Sequence, residues 1–224
     1  MLPIQGIKFG IVALENSGKT TLISKLIDAL VMSTDNKAFR GKVPHFRYSE
    51  YAGMETLANV IGDKLEAYES KFDKLPKTLV IDSVTHLANN MEKYWNEKAT
   101  GFNVWSGLGK DILDFNAYLE DVILPAGINV IFTSHCQYDP DTNKYKINAP
   151  GNFGKNGSWL SVTDEAGFIE IKGNKRIIHF KTMKFPCRTL HDELPDSVDL
   201  EEFDINEHIT LLESSSAEAD EWTI

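Results

Sequence analysis

Cysteine is nearly absent. The 224 residues hold two, Cys136 and Cys187, too few for the disulfide framework that staples small secreted domains. No stretch approaches the ~20 consecutive apolar residues of a membrane-crossing helix. The opening MLPIQGIKFGIVAL has neither a basic start nor a small-residue cleavage site, so no leader is read in it. These absences predict a cytoplasmic protein without a membrane partner. Basic residues are missing from one end: from Asp192 onward there are 12 acids and no Lys or Arg. The net charge of −10 therefore belongs to the tail, because residues 1–191 carry 21 acids against 23 bases. An acidic chain ordinarily disfavours a polyanionic ligand, but this body is close to neutral and does not exclude one.

Internal repeats and low-complexity tracts are also lacking, apart from the acidic end. What remains is an alternation of strand-like and helix-like segments. GIKFGIVAL (6–14) is a short apolar run of strand type. KTTLISKLIDALVM (19–32) spaces Leu22, Ile23, Leu26, Ile27 and Leu30 as a helix does. HFRYSE (45–50) reads as a strand and METLANVIGDKLEAYESKF (54–72) as an amphipathic helix. TLVIDSV (78–84) and GINVIFTSH (127–135) are apolar without alternation, as strands covered on both faces must be. Residues 105–124 form another amphipathic helix. Residues 137–160 read as a long loop, and 165–182 as a hairpin turning at Gly173-Asn174. The expected class is α/β, a mostly parallel sheet flanked by helices with a late β-hairpin. The expected division is a core over residues 1–190 and an acidic segment over 191–224. The end of that segment is read either as a disordered, solubilising tail or as one that competes for basic loops or docks through Trp222 and Ile224.

ALENSGKTT (13–21) carries the chemistry. A phosphate-binding loop needs inward-pointing backbone N–H groups, a following helix, and a Lys that reaches the β- and γ-phosphates. Ala13, Glu15, Asn16, Ser17, Gly18, Lys19, Thr20 and Thr21 are the candidate nucleotide-binding residues, with Lys19 on the phosphates and the Thr20 hydroxyl on Mg²⁺. Ala13 replaces the first glycine of G-x-x-x-x-G-K-[ST]. Its methyl group is acceptable at a strand end if φ is negative there. Asp82, closing TLVID, is the candidate metal-orienting acid, since ligands bind at the carboxyl ends of parallel strands. Ser83 reads as a helix cap. The expected cofactors are ATP and Mg²⁺.

The loop alone resembles that of small GTPases, but no D-x-x-G follows and no N-K-x-D for guanine occurs. TLVIDSVTHL and NVIFTSH resemble instead the metal-site strand and the following core strand of RecA-like P-loop ATPases. Over residues 5–190 the chain looks most like the single-domain RecA-like ATP-binding proteins of phages, including the Sak-type single-strand annealing recombinases. That resemblance implies an ATPase acting on single-stranded DNA in recombination, annealing or replication. It further implies a homo-oligomeric ring or filament, a single-strand DNA-binding protein as companion, and the host cytoplasm as location. It makes His135 the γ-phosphate sensor, Glu50 the residue that positions the attacking water, with Glu55 as fallback, and Lys184 and Arg188 the fingers reaching a neighbouring subunit, with Lys181 a lesser candidate. Segments 89–107 and 137–160 would face DNA through Lys93, Lys98, Lys144, Tyr145, Lys146 and Lys155, cations interleaved with rings. Two alternatives stay open: an ATP-gated DNA-binding or interaction module with little turnover, and a nucleotide or small-molecule kinase.

Overall fold

The computed structural model describes residues 5–150, 153–154 and 158–220, with side chains through Ser215. Its centre is a mostly parallel sheet. The strands are β1 (Lys8–Ala13), β2 (Ala29–Ser33), β3 (His45–Arg47), β4 (Thr78–Asp82), β5 (Asn129–Asp139), β6 (Lys144–Ile147), β7 (Glu165–Lys172), β8 (Lys175–His179) and β9 (Ser197–Asp199). The order is β3-β2-β4-β5-β1-β7-β8-β9, with β6 paired to β5. Six strands, β1 to β5 and β7, run parallel, whereas β6, β8 and β9 are antiparallel additions. All six parallel strands therefore end on one edge.

Alternation along each strand sorts side chains into two layers. Leu30 and Met32, Leu79 and Ile81, Val130 and Phe132 face one core with helices α2 (Met54–Phe72), α3 (Val84–Lys98) and α4 (Phe102–Tyr118). Val31, Val80, Ile131, Phe9 and Ile11 face the other, with α1 (Lys19–Ile23) and α5 (Ile205–Asp220). Both faces are covered, which is why these strands read as unbroken apolar runs.

Three expectations need correction. The helix expected over 19–32 stops at Ile23, and Ala29–Ser33 is a fully buried strand. A run apolar on every side has no single helical face, so Leu26, Ile27 and Leu30 mimicked a helical period by composition. Residues 89–107, which the resemblance makes one of two DNA-facing loops, are the end of α3 and the start of α4, joined at Gly101 with φ 59°. Part of 137–160 continues β5 and turns back as β6. The hairpin lies where expected: Lys172 pairs with Lys175, and Gly173 takes φ 62°, the positive φ that a two-residue turn beginning with glycine needs.

Beyond residue 190 the chain supplies β9 and α5. Ile205, Ile209 and Leu212 enter the same core as β1. Asn206 bonds the Ile27 amide and the Lys25 carbonyl, and Glu213 accepts from Asn129 and pairs with Lys77. His208, itself buried, bonds Glu165 at 2.5 Å among the rings of Phe9, Phe180 and Phe203. These contacts put α5 at the amino ends of the strands, opposite the edge where β1 and β4 end. Residues 221–224, with Trp222 and Ile224, lie outside the described residues.

Candidate active site

β5 lies between β1 and β4, so three strand ends converge. Ala13 is in register with His135, Ser33 with Asp82, and Ile81 with Phe132, which brings Thr133 beside Asp82. The loop after β1 then folds as a phosphate cradle. Positive φ falls on Asn16 (58°) and Gly18 (97°) and not on Ala13, so the methyl group meets no left-handed strain. The Ser17 hydroxyl donates to the Leu14 carbonyl at 2.8 Å and braces the turn. Lys19 is buried, its ammonium donating to the carbonyls of Leu14 (2.8 Å) and Ala13 (3.3 Å).

A cavity of about 400 Å³ opens over this loop. It is lined by residues 15–21, Asp35, Lys37, Asp82, Ser83, His86, His135 and Arg176. Every expected nucleotide-binding residue except the buried Ala13 lines it, together with Asp82 and His135. Thr133 Oγ1 donates to Asp82 Oδ1 at 2.6 Å and fixes the carboxylate. Ser83 caps α3 by accepting from the His86 amide, and Thr34 bonds Ser83 in both directions. The His135 amide donates to Thr85 Oγ1 at 2.9 Å, tying the end of β5 to α3. The His86 and His135 rings meet edge to face at 5.3 Å.

The charges are partly desolvated. Burial lowers the Lys19 pKa, against the raising influence of Cys136, Asp82 and Glu15. Burial raises that of Asp82, with Asp35 adding to it, while the Thr133 bond, Lys19 and His86 oppose. Burial, then Lys19 and His86, takes His135 down to about 4, so its imidazole is neutral at pH 7. The Thr20 hydroxyl and the carboxylates of Asp35 and Asp82, which line the cavity, are hard oxygen donors of the kind Mg²⁺ accepts. Among the described residues no cluster of three or more His, Cys, Asp or Glu forms a self-sufficient metal cage.

Several candidates lie elsewhere. Glu50 lines a separate polar cavity of about 290 Å³ with Asn36, Tyr51, Asn90, Lys93 and Glu97. The strand that follows the loop is β2, not β3, so the acid at its end is Asp35. Glu55 sits in the first turn of α2. The segment that carries the finger candidates (179–188, HFKTMKFPCR) leaves β8 after His179 and is not a strand beyond it. Lys181 bonds the carbonyls of Asp192 and Leu194. Lys184 lies over the Phe185 ring and near Glu170. The Arg188 backbone pairs with Ala166, which is in register with Gly10, upstream of the cavity edge. The basic residue over the loop is Arg176, whose Cδ comes within 3.2 Å of where a Cβ on Gly18 would stand. Asp35, His86 and Arg176 carry no local motif; only the strand pairing locates them.

The DNA-contact candidates divide. Lys93 faces the polar cavity and Lys98 lies over the Tyr94 ring. Trp95 donates to the buried Asp111 at 2.6 Å. Across α3, a cleft of about 840 Å³ runs between Thr85, Asn89 and Glu92 and the β5–β6 hairpin, lined there by Gln137, Tyr145, Lys146 and Asn148. Lys144 is exposed on β6, Lys146 pairs with Asp139, and Tyr145 packs against Phe168 and Phe185. Lys155 lies outside the described residues. Among the described residues no helix is long and apolar enough to cross a membrane.

Compared with known proteins, residues 5–185 match the family model described as an AAA domain. No curated protein matches the chain.

Proposed function

The chain belongs to the AAA domain family of P-loop nucleotide-binding ATPases, and from that premise we propose that it hydrolyses ATP with Mg²⁺ while acting on single-stranded DNA. The observation that carries the hydrolytic half is the convergence on one cavity of Lys19 from the loop after β1, Asp35 from just past β2, Asp82 from the end of β4 and His135 from within β5. Lys19 would swing from the Ala13 and Leu14 carbonyls to the β- and γ-phosphates. The Thr20 hydroxyl and Asp82 would hold Mg²⁺, whose charge neutralises phosphate oxygens. Asp35, rather than Glu50, would orient the attacking water. His135, neutral at pH 7, would read the γ-phosphate as a hydrogen-bonding partner. Through the bond of its amide to Thr85 it would pass that reading to the cleft beside α3.

The DNA half rests on the resemblance of VIDSV and NVIFTSH to RecA-like sequences and on that cleft. Its amide side chains (Asn89, Gln137 and Asn148) and Lys146 suit a backbone-tracking groove. Among the described residues the buried Asn148 side-chain oxygen has no hydrogen-bond partner, and a ligand would satisfy it. Lys144 would add exposed charge at the rim. Lys93 and Lys98 stand apart from this groove and take no part in the proposal. On the same resemblance the chain acts as a homo-oligomer beside a single-strand DNA-binding protein in phage recombination or annealing, with Lys184 and Arg188 reaching across subunits.

The test is the steady-state ATPase rate with single-stranded DNA, duplex DNA and none, alongside a mobility shift. Stimulation by single strands, lost on Lys146→Glu, supports the reading. ATP turnover without stimulation and without a shift removes the DNA half and leaves the ATPase. A second reading, a small-molecule kinase, draws on the polar cavity beyond Asp35; phosphoryl transfer in an acceptor screen would establish it.

A further inference from the structure

We infer that the nucleoside end of the nucleotide is held by residues beyond the family match, in a pocket walled by the turn of the β7–β8 hairpin and the segment after β9. This rests on the phosphate-site reading above and adds the direction in which the nucleotide lies. A second cavity, of about 260 Å³, adjoins the phosphate cavity, and Gly18, Thr21 and Arg176 border both. Its far wall is Asn174, Leu200 and Glu201, and the last two lie past residue 185, where the family match stops.

The wall is built rather than incidental. The Leu200 amide donates to the Arg176 carbonyl at 2.8 Å, clamping the segment to β8. Leu200 is buried in the layer that holds Leu22 and Phe203. Its Cδ2 reaches within 3.6 Å of a Cβ placed on Gly18. Register opposite Ile171 puts Arg176 on the junction, and among the described residues its guanidinium has no carboxylate partner. A triphosphate gripped at Lys19 leaves the loop in two directions. Toward Asp35 the next cavity, walled by Glu50, Glu97, Lys93, Tyr51 and Tyr94, shares no lining residue with the phosphate cavity and is not continuous with it in this way. Past Thr21 the walls are the aliphatic side chains of Leu22 and Leu200 and the stem of Arg176, with Lys25, Asn174 and Glu201 at the edge. An apolar face for a base, an amide and a carboxylate for ribose hydroxyls or ring nitrogens, and a guanidinium where the phosphates begin are what a nucleoside requires. The acidic C-terminal segment thus completes the nucleotide site.

Calorimetric titration with Mg²⁺-ATP and with Mg²⁺-tripolyphosphate separates the two pockets, because only ATP has a nucleoside. Asn174→Trp and Glu201→Trp, both at exposed positions, place a ring in the pocket and leave the loop untouched. We expect each to weaken ATP by about tenfold or more while tripolyphosphate stays within about twofold. Unchanged ATP affinity in both, or equal losses for both ligands, would overturn the inference. Lys19→Ala should abolish binding of both, and if it binds both normally the phosphate site itself is wrong. Labelling by 8-azido-ATP gives an answer independent of any variant. A modified peptide containing Leu200 and Glu201 supports the pocket, and modification confined to the Asn36–Glu50 side reverses the direction.

Discussion

Replacing His135 by glutamine removes an imidazole that the folded chain refuses to protonate. Burial, then Lys19 and His86, lowers its pKa from 6.5 to about 4. Between those values the unfolded chain binds a proton that the folded chain does not, so stability rises with pH across this window. The contribution is fully present above pH 6.5 and lost as pH falls to about 4. A gap of about 2.5 pH units corresponds to about 3.4 kcal/mol at most. The ring is half-buried, and solvent screening reduces this to about 1–2 kcal/mol. Glutamine does not titrate. The difference in unfolding free energy between wild type and His135→Gln, read from urea melts, should therefore grow by that amount from pH 4 to 6.5 and stay flat above. Asp82, whose pKa is shifted upward, titrates in both proteins and drops out of the difference to first order. Parallel stability curves, or a His135 imidazole resonance titrating near 6.5 in the nucleotide-free protein, would refute a desolvated, neutral His135.

Asp35→Asn should lower kcat about 100-fold or more while ATP affinity changes little, as expected for a group that acts on water rather than on the ground-state nucleotide; single-turnover kinetics check this. Asp111→Ala orphans the Tyr51 hydroxyl and the Trp95 indole N–H, which donate to it at 2.8 and 2.6 Å. At about 1–3 kcal/mol for each unsatisfied buried donor, denaturant unfolding should show a loss of about 2–6 kcal/mol. Gly167→Ala places a methyl 2.7 Å from Ile178 Cδ1 and 3.1 Å from Phe180 Cε1. The overpacking should cost about 1–3 kcal/mol in the same assay.

The parts of the molecule legible in the sequence are those whose signal is local. ENSGKTT declares its turn by the spacing of Gly18, Lys19 and Thr20, TLVID its double burial by composition, and Gly173-Asn174 its hairpin by turn chemistry. What escaped depends on pairing across the chain. Asp35 became visible only when Ala29–Val31 proved to be a strand in register with Thr78–Val80, and its run of apolar residues fits a helix equally well. With that run read as a helix, the first strand after the loop is HFRYSE and the acid closing it is Glu50; the structure inserts β2, and the acid that follows it is Asp35. Arg176 has no local signal, because its approach to Gly18 follows from β7 lying against β1. The charge count of the last 33 residues suggested a tail, but the apolar positions Leu200, Phe203, Ile205, Ile209 and Leu212, spread among the acids, bury it against the sheet.

The central claim is that the cavity over Lys19 binds ATP, and equilibrium binding of Mg²⁺-ATP to wild type and Lys19→Ala tests it most directly. The ammonium would make charge-assisted bonds to two phosphates, each contributing about 1.5–3 kcal/mol. The account therefore predicts clear binding by the wild-type protein and a loss of about 100-fold or more in Lys19→Ala, with the variant still folded. No binding by the wild type, or an affinity in the variant within about threefold of it, would contradict the account.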